Sequence, residues 1–292
     1  MNKACGHRRR FRQTGVALVL VLMITGVLAL LILQFALTAR AHTARAQRLV
    51  ERVRADLVLN SSQARMAFAL VTQPWSSEPT PEWDNRSLPR GWNFTGKPFQ
   101  FGDAEIVLQD FNGLVPMPQP GDAVGDYSVM LRVIGLPEER VRTATLRFAE
   151  TIAPPQSAPL QDFDDLKQIS GLSAIEVAQL RDVATLYPAR VFNPSTATAG
   201  ALKVRFADTS LQGLLSLREQ GALNAASFFS VTGLGTDGIL AFFPGPGFRV
   251  TFRVSLGDFV AAEELSMKVD PYAADPFELW SRRRPPATVT NQ

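Results

Sequence analysis

The chain is poor in the residues that most enzymes use for covalent and metal chemistry. Among its 292 residues it has one cysteine, Cys5, and two histidines, His7 and His42. From position 43 onward there is neither. A Ser-His-Asp or Cys-His nucleophile system cannot be built there, nor can a zinc site of the usual Cys and His ligands. No internal disulfide can form in that body, even in an oxidising compartment. No glycine-rich run ends in Lys-Ser or Lys-Thr, which excludes a Walker phosphate loop. Gly245-Pro246-Gly247 reads as a turn rather than a ligand cradle. Carboxylates remain, so an oxygen-ligand metal such as calcium stays open, but no carboxylate pair stands out as acid–base machinery.

Three further absences organise the N-terminus. The leader Met1–Gly15 holds no acid, while it carries Lys3, Arg8, Arg9, Arg10 and Arg12. The stretch Val16–Leu37 holds no charged residue. At roughly 22 residues it makes about 33 Å of helix, enough to cross a hydrocarbon core. Ala39–Thr72 holds no proline and no glycine. It is rich in Ala, Arg, Leu and Gln, and Leu49, Val53 and Leu57, then Ala64, Ala67, Phe68 and Val71, recur at helical spacing. One helix over 16–72 is therefore expected, roughly 85 Å long, with 16–37 in the membrane and the rest packed on a body.

A secretory signal peptide has a shorter apolar core, about 7–15 residues, with its cut site after it. Ala39-Arg40-Ala41 imitates such a site, but the apolar run is too long. A plain signal anchor is a second reading. The third is a leader cut before the apolar run, with Gly15 as its last residue and Val16 as the new N-terminus. The basic leader sets the N-terminus in the cytoplasm, although Arg40, Arg45, Arg48, Arg52 and Arg54 follow the span. Removing the leader's five cations from the net charge of +3 leaves the remainder at −2, so the basic pI carries no nucleic-acid signal.

Along the body, Gln73–Gly91 has Pro74, Pro79, Pro81 and Pro89 and reads as a loop, with Trp75, Trp83 and Trp92 available to pin it. Phe99–Gln109 reads as strand, followed by an Asn112-Gly113 turn. Tyr127–Ile134 and Val141–Phe148 alternate around Gly135-Leu136-Pro137 and predict an antiparallel hairpin. Phe163–Gln168 and Ala174–Leu180 predict two short helices, with Asp162 and Ser173 as N-caps and Ser173 with Glu176 as a capping box. Asn193-Pro194-Ser195-Thr196-Ala197 is a turn, and Leu211–Glu219 another helix. Ser227–Leu234 ends in a second tight turn. Gly247–Gly257 alternates most cleanly and predicts a strand. Ser281–Gln292, with Arg282, Arg283, Arg284, Pro285 and Pro286, reads as a flexible tail. The class is α+β. The predicted segments are leader 1–15, helix 16–72, a β part 73–159, a helical insert 160–243, a C-terminal strand and extension 244–280, and the tail 281–292.

Three stretches together resemble the K-type minor pseudopilin of the bacterial type II secretion system. The first is Gly15-Val16-Ala17-Leu18 with Leu20. The second is Ala104–Gly113, similar to the family's strand ending in Asp-x-x-Gly, here Asp110-Phe111-Asn112-Gly113. The polar Asn-Leu-Asn that commonly follows is replaced by Leu114-Val115-Pro116. The third is Phe163–Leu217, with an Ile-x-Gly-Leu turn at Ile169–Leu172. Its Asn193–Ala197 stands where the family has Asn-x-Asn-Thr-Ala, with Ser195 departing. The hairpin expected after Asp122 also departs from the family's helical stretch.

The resemblance implies a pilin-like fold: a long N-terminal helix packed on an antiparallel sheet, with an inserted helical lobe. It also implies no catalysis and cleavage between Gly15 and Val16 by a prepilin peptidase. The chain would be single-pass in the inner membrane with a periplasmic body. Its partners would be the other minor pseudopilins and the major pseudopilin, at the tip of the pseudopilus that supports protein export across the outer membrane. Leu20, the fifth mature position, is apolar where most pseudopilins have glutamate. A carboxylate in lipid is costly unless paired, and a tip subunit has no neighbour above to pair it. Calcium is implied for the family, but no ligands can be matched to positions here.

Two other readings stand beside this one. A type IV pilus minor pilin shares the leader and span but not the insert. A membrane-anchored helix-hairpin-helix DNA-binding module would use Gly233-Leu234-Gly235 against phosphate. Leu160–Phe243 has more acids than bases, however, so nucleic acid is not an expected partner.

Overall fold

The structure is a computed structural model. It describes residues 14–76, 88–153, 160–189, 191–206, 208–235, 238–257, 259–284 and 288–289. Trp83 and most of the proline-rich loop expected at Gln73–Gly91 lie outside the described residues, as does most of the leader. The chain divides into two compact units, Met1–Arg54 and Ala55–Gln292.

Helix α1 runs over Thr14–Thr72. In the first unit, its residues from Ala17 to Val50 are exposed. The hydroxyls of this segment are satisfied within the helix: Thr25 donates to the carbonyls of Val21 and Leu22, and Thr38 to that of Gln34. That is how a hydroxyl is tolerated where no water reaches. Among the described residues, this is the one helix long and apolar enough to cross a membrane.

In the second unit, the end of α1 supplies a stripe at three- and four-residue spacing: Ala55, Leu59, Ser62, Met66 and Leu70, all buried. This stripe packs on a sheet built from β1 (Thr95–Phe101), β2 (Ala104–Asp110), β5 (Gly247–Leu256), β6 (Phe259–Val269), β7 (Phe277–Arg283) and β8 (Thr288–Val289). The strand order is β1-β2-β5-β6-β7, with β8 also pairing β6, and every pairing is antiparallel. The α1-facing side carries Ile106, Leu108, Phe248, Val250, Phe252 and Val254, joined by Trp92, Phe94 and Phe99. The alternation read in Gly247–Gly257 is thus a strand with one face in this core. Trp75 meets Phe248 edge-on at 5.1 Å and donates from its ring N–H to the Leu70 carbonyl. The run Phe99–Gln109 is two strands, because Gly102 at φ 66° turns the chain within it.

Everything between β2 and β5 forms the inserted lobe. A 3-10 turn (Phe111–Gly113) leads to β3 (Val115–Pro116), α2 (Gly125–Val133), α3 (Glu138–Ile152), α4 (Asp165–Ile169) and α5 (Ala174–Arg181). Then follow β4 (Ala184–Thr185), parallel to β3, and α6 (Ala199–Arg205), α7 (Asp208–Glu219) and α8 (Ala225–Thr232). A single core runs from Val115 through Tyr127, Phe148, Leu166 and Leu180 to Leu211. The lobe therefore begins near Val115, well before the boundary at 160 read from the sequence.

The expected hairpin over Tyr127–Phe148 is instead the helix pair α2–α3. The buried positions decide it: Tyr127, Met130 and Leu131, then Val141, Ala144, Phe148 and Ile152, follow a helical period. Alternation and helical spacing coincide over such short runs. The connection held the better signal. Gly135, at φ 89°, is left-handed, and Leu136 N–H reaches back to the Leu131 carbonyl, a Schellman closure of α2. Pro137 then opens α3, with Glu138 and Glu139 in its first turn. Tyr127 and Phe148 stack at 4.3 Å, and the Tyr127 hydroxyl bonds Ser170 Oγ at 2.8 Å, tying α2 and α3 to α4.

The Ser173–Glu176 capping box is present on α5. Asp162 accepts from the Asp164 N–H one turn ahead of α4 rather than capping the helix itself. The expected flexible tail is also corrected, because Phe277–Arg283 and Thr288–Val289 pair with β6. Three arginines looked like a solvated run. Each has a carboxylate partner: Arg282 with Glu263, Arg283 with Asp164, and Arg284 with Asp56 of α1.

Candidate functional site

Two features carry the functional argument, and each belongs to one unit. In the first unit, Gly15, Val16 and Leu20 all lie within α1. Leu20 is exposed, as are its apolar neighbours Val19, Val21 and Leu22. An uncharged, apolar helical surface of this length suits lipid or other helices.

The second feature fixes the lobe to the sheet. Two motifs singled out in the sequence, Asp110-Phe111-Asn112-Gly113 and Asn193–Ala197, meet in space although more than eighty residues separate them. Asp110 has no exposed surface. Its Oδ1 accepts from the backbone N–H groups of Asn112 at 2.9 Å and Gly245 at 3.2 Å. Its Oδ2 accepts from Thr196 Oγ1 at 2.8 Å and Asn193 Nδ2 at 3.2 Å. Asn193 extends the network, donating also to the Phe243 carbonyl and accepting from Ser195 N–H and Oγ. Gln109 Nε2 bridges the carbonyls of Asp110 and Thr196. Four points of the chain therefore converge on one carboxylate: the end of β2, the 3-10 turn, the 193–197 turn, and the return into β5.

Ser195 keeps the polar chemistry that an asparagine would have supplied, through its bond to Asn193. Gly113 is required by space. A Cβ there would lie 2.5 Å from the Thr196 carbonyl oxygen, which is backbone and cannot move aside. At Gly245 a Cβ would instead meet the side-chain amide of the buried Asn112, so Gly245-Pro246-Gly247 serves close packing around the hub.

Burial pushes the Asp110 carboxyl up to about 6 from an ordinary value of 3.8, against the four donated hydrogen bonds, which favour the charged form. Its donors are backbone N–H groups, the Thr196 hydroxyl and the Asn193 amide, and the arrangement joins the lobe to the sheet.

Sequence reasoning found both motifs but not their partnership, nor the Arg282–Glu263 pair. Calcium, implied by the family resemblance, is not matched by a donor set: among the described residues no three His, Cys, Asp or Glu side chains group to hold a metal.

No protein-family model matches the sequence, and no curated protein matches it. Among solved structures, the chain is similar to a chain of the GspK–GspI–GspJ complex from the enterotoxigenic Escherichia coli type 2 secretion system, at a TM-score of 0.50 and 12% identity. The chain has that fold. The match covers 83% of this chain and 99% of the other. At that identity the agreement lies in backbone architecture, which in this chain is a long N-terminal helix, an antiparallel sheet and an inserted helical lobe in one α+β arrangement.

Proposed function

We propose that the chain is a K-type minor pseudopilin of a type II secretion system. In this reading it is cut between Gly15 and Val16 by a prepilin peptidase. It is held in the inner membrane by 16–37 with its N-terminus cytoplasmic, and carries its body in the periplasm. It caps and initiates the pseudopilus in contact with other minor pseudopilins and the major pseudopilin, and performs no catalysis. The observation that carries the reading is the fold match over 99% of a chain from a type 2 secretion complex. Three features of this chain support it. The basic leader ends in glycine ahead of an uncharged run. Leu20 stands where a paired glutamate would otherwise be needed. A lobe of about 130 residues, from Val115 to Phe243, is bulky enough to block a further subunit above the sheet.

The test is co-purification. With the other minor pseudopilins of the same system co-expressed in membranes, the tagged full chain is expected to retain them in stoichiometric amount through detergent extraction. Retention of type IV pilus subunits in their place would move the chain to the minor-pilin reading. Salt-sensitive retention on heparin with no pilin-like partner would favour a nucleic-acid module.

A further inference from the structure

One feature of the first unit has no role in the reading above. Arginines follow the apolar run directly, on the side away from the leader, where the rule that keeps cations in the cytoplasm would not put them. Arg40, Arg45 and Arg48 come first, and no acid stands between Leu37 and Arg48. Glu51 is the single acid from there to Arg54. Residues 38–50 are all exposed, and among the described residues none of the three arginines has an ion-pair partner.

Helical geometry puts the three on one side of α1. Arg40 and Arg48 lie four residues before and after Ala44, and Arg45 lies four residues after Ala41. Guanidinium groups therefore flank a floor of two alanines. At 1.5 Å per residue, the three stand about 4.5, 12 and 16.5 Å along the axis past Leu37. A headgroup layer reaches about 6 Å beyond the hydrocarbon. Helical side chains lean toward the N-terminus of their own helix, over the preceding turn. Here that direction is toward the membrane, so Arg48 covers Ala44 and Arg45 covers Ala41. Long arginine stems reach back to an interface in this way. Arg52 and Arg54 stand about 22 and 26 Å past Leu37, more than a Debye length of about 10 Å beyond that layer.

We propose that Arg40, Arg45 and Arg48 form a collar that seats the headgroup phosphate of an anionic phospholipid, in the leaflet on the body's side. A guanidinium donates two parallel N–H bonds to a phosphate diester, and the alanine floor lets the headgroup approach the helix. In a zwitterionic lipid the ammonium beside the phosphate is repelled by the same arginines, so an anionic headgroup such as phosphatidylglycerol fits better. An acidic protein surface would not single out the arginines nearest the span, whereas a lipid surface does. The inference rests on the reading of 16–37 as a membrane span and on no part of the pseudopilus assembly.

The full chain in neutral detergent micelles is titrated with phosphatidylglycerol or phosphatidylcholine of the same acyl chains, and bound lipid is counted by native mass spectrometry. An arginine at a membrane surface is worth roughly a fivefold gain in affinity, so phosphatidylglycerol is expected to bind at least about tenfold more tightly than phosphatidylcholine. Arg40→Gln/Arg45→Gln/Arg48→Gln replaces exposed residues by another good helix former and is expected to lower that preference at least about tenfold. Arg52→Gln/Arg54→Gln removes charge farther out and is expected to leave the preference within about twofold of wild type. The leader's cations are common to all these chains and cancel in the comparison. Soluble glycerol 1-phosphate is expected not to displace the lipid. Equal affinity of the wild-type chain for the two lipids overturns the proposal, as does a triple variant that keeps the preference. An equal loss in the distal pair would assign the preference to net charge, and displacement by glycerol 1-phosphate would assign it to a soluble anion; either overturns the collar. A chain that stays soluble without detergent overturns the span reading and the collar together, while a chain that needs detergent but shows no lipid preference overturns the collar alone.

Discussion

Replacing Asp110 by alanine is expected to lower the unfolding free energy by about 3 kcal/mol at pH 4, the cost of leaving several buried donors without their acceptor, and by less at pH 7, where the buried carboxylate is itself disfavoured. The substitution leaves the Asn112 and Gly245 N–H groups without an acceptor inside the protein. Asn193 keeps its bond to the Phe243 carbonyl, and the Thr196 hydroxyl has only the distant Asn193 carbonyl, at 3.4 Å, to turn to. The loss falls on the attachment of lobe to sheet, so urea melts followed by hydrogen exchange should show 193–197 and 244–246 opening first.

The pH dependence supplies a second reading of the same variant. The carboxyl of Asp110 is raised in the folded chain, to about 6 from 3.8. Its contribution to stability is therefore full below about pH 4 and is lost as pH rises through about 6. At ~1.4 kcal/mol per pH unit the loss amounts to about 3 kcal/mol. The wild-type chain should lose this increment on titration from pH 4 to 7, and Asp110→Ala should not. A flat wild-type profile over that window would contradict the burial argument.

The second large effect is at the end of the chain. Glu263 is 1% exposed on the α1-facing side of β6, where its cross-strand neighbour is Phe252. Arg282 of β7 is its ion-pair partner. Arg282→Ala strands a carboxylate in an apolar layer and is expected to cost about 3 kcal/mol. Adding Glu263→Leu should restore most of that loss, since it removes the stranded carboxylate from the apolar layer, the Arg282 side chain itself being half exposed. Denaturant unfolding of the single and double variants checks both signs. An Arg282→Ala chain as stable as wild type would mean that the tail does not hold its partner.

The sequence disclosed the parts of this molecule whose signal is long or clean. The uncharged run before Leu37 and the breaker-free Ala39–Thr72 announced α1. The alternation around Phe248–Val254 announced β5, and the Ser173 capping box announced α5. Short amphipathic segments were less legible. Over eight residues, Tyr127–Ile134 satisfies both periods, and only the Gly135-Leu136-Pro137 punctuation separates two helices from a hairpin. Arginine-rich ends read as solvated because their partners, Glu263, Asp164 and Asp56, lie 19, 119 and 228 residues away. For the same reason Asp110 and Asn193 were each visible as motif residues, while the hub they form with Gly245 depends on chain return that no local pattern encodes.

The central claim is that the apolar helix remains on the mature protein as a membrane stem. Intact mass spectrometry of the chain, recovered from membranes that contain a prepilin peptidase, tests it most directly. The account predicts a polypeptide beginning at Val16, found in the membrane fraction. A product beginning after Ala41 and released in soluble form would contradict it.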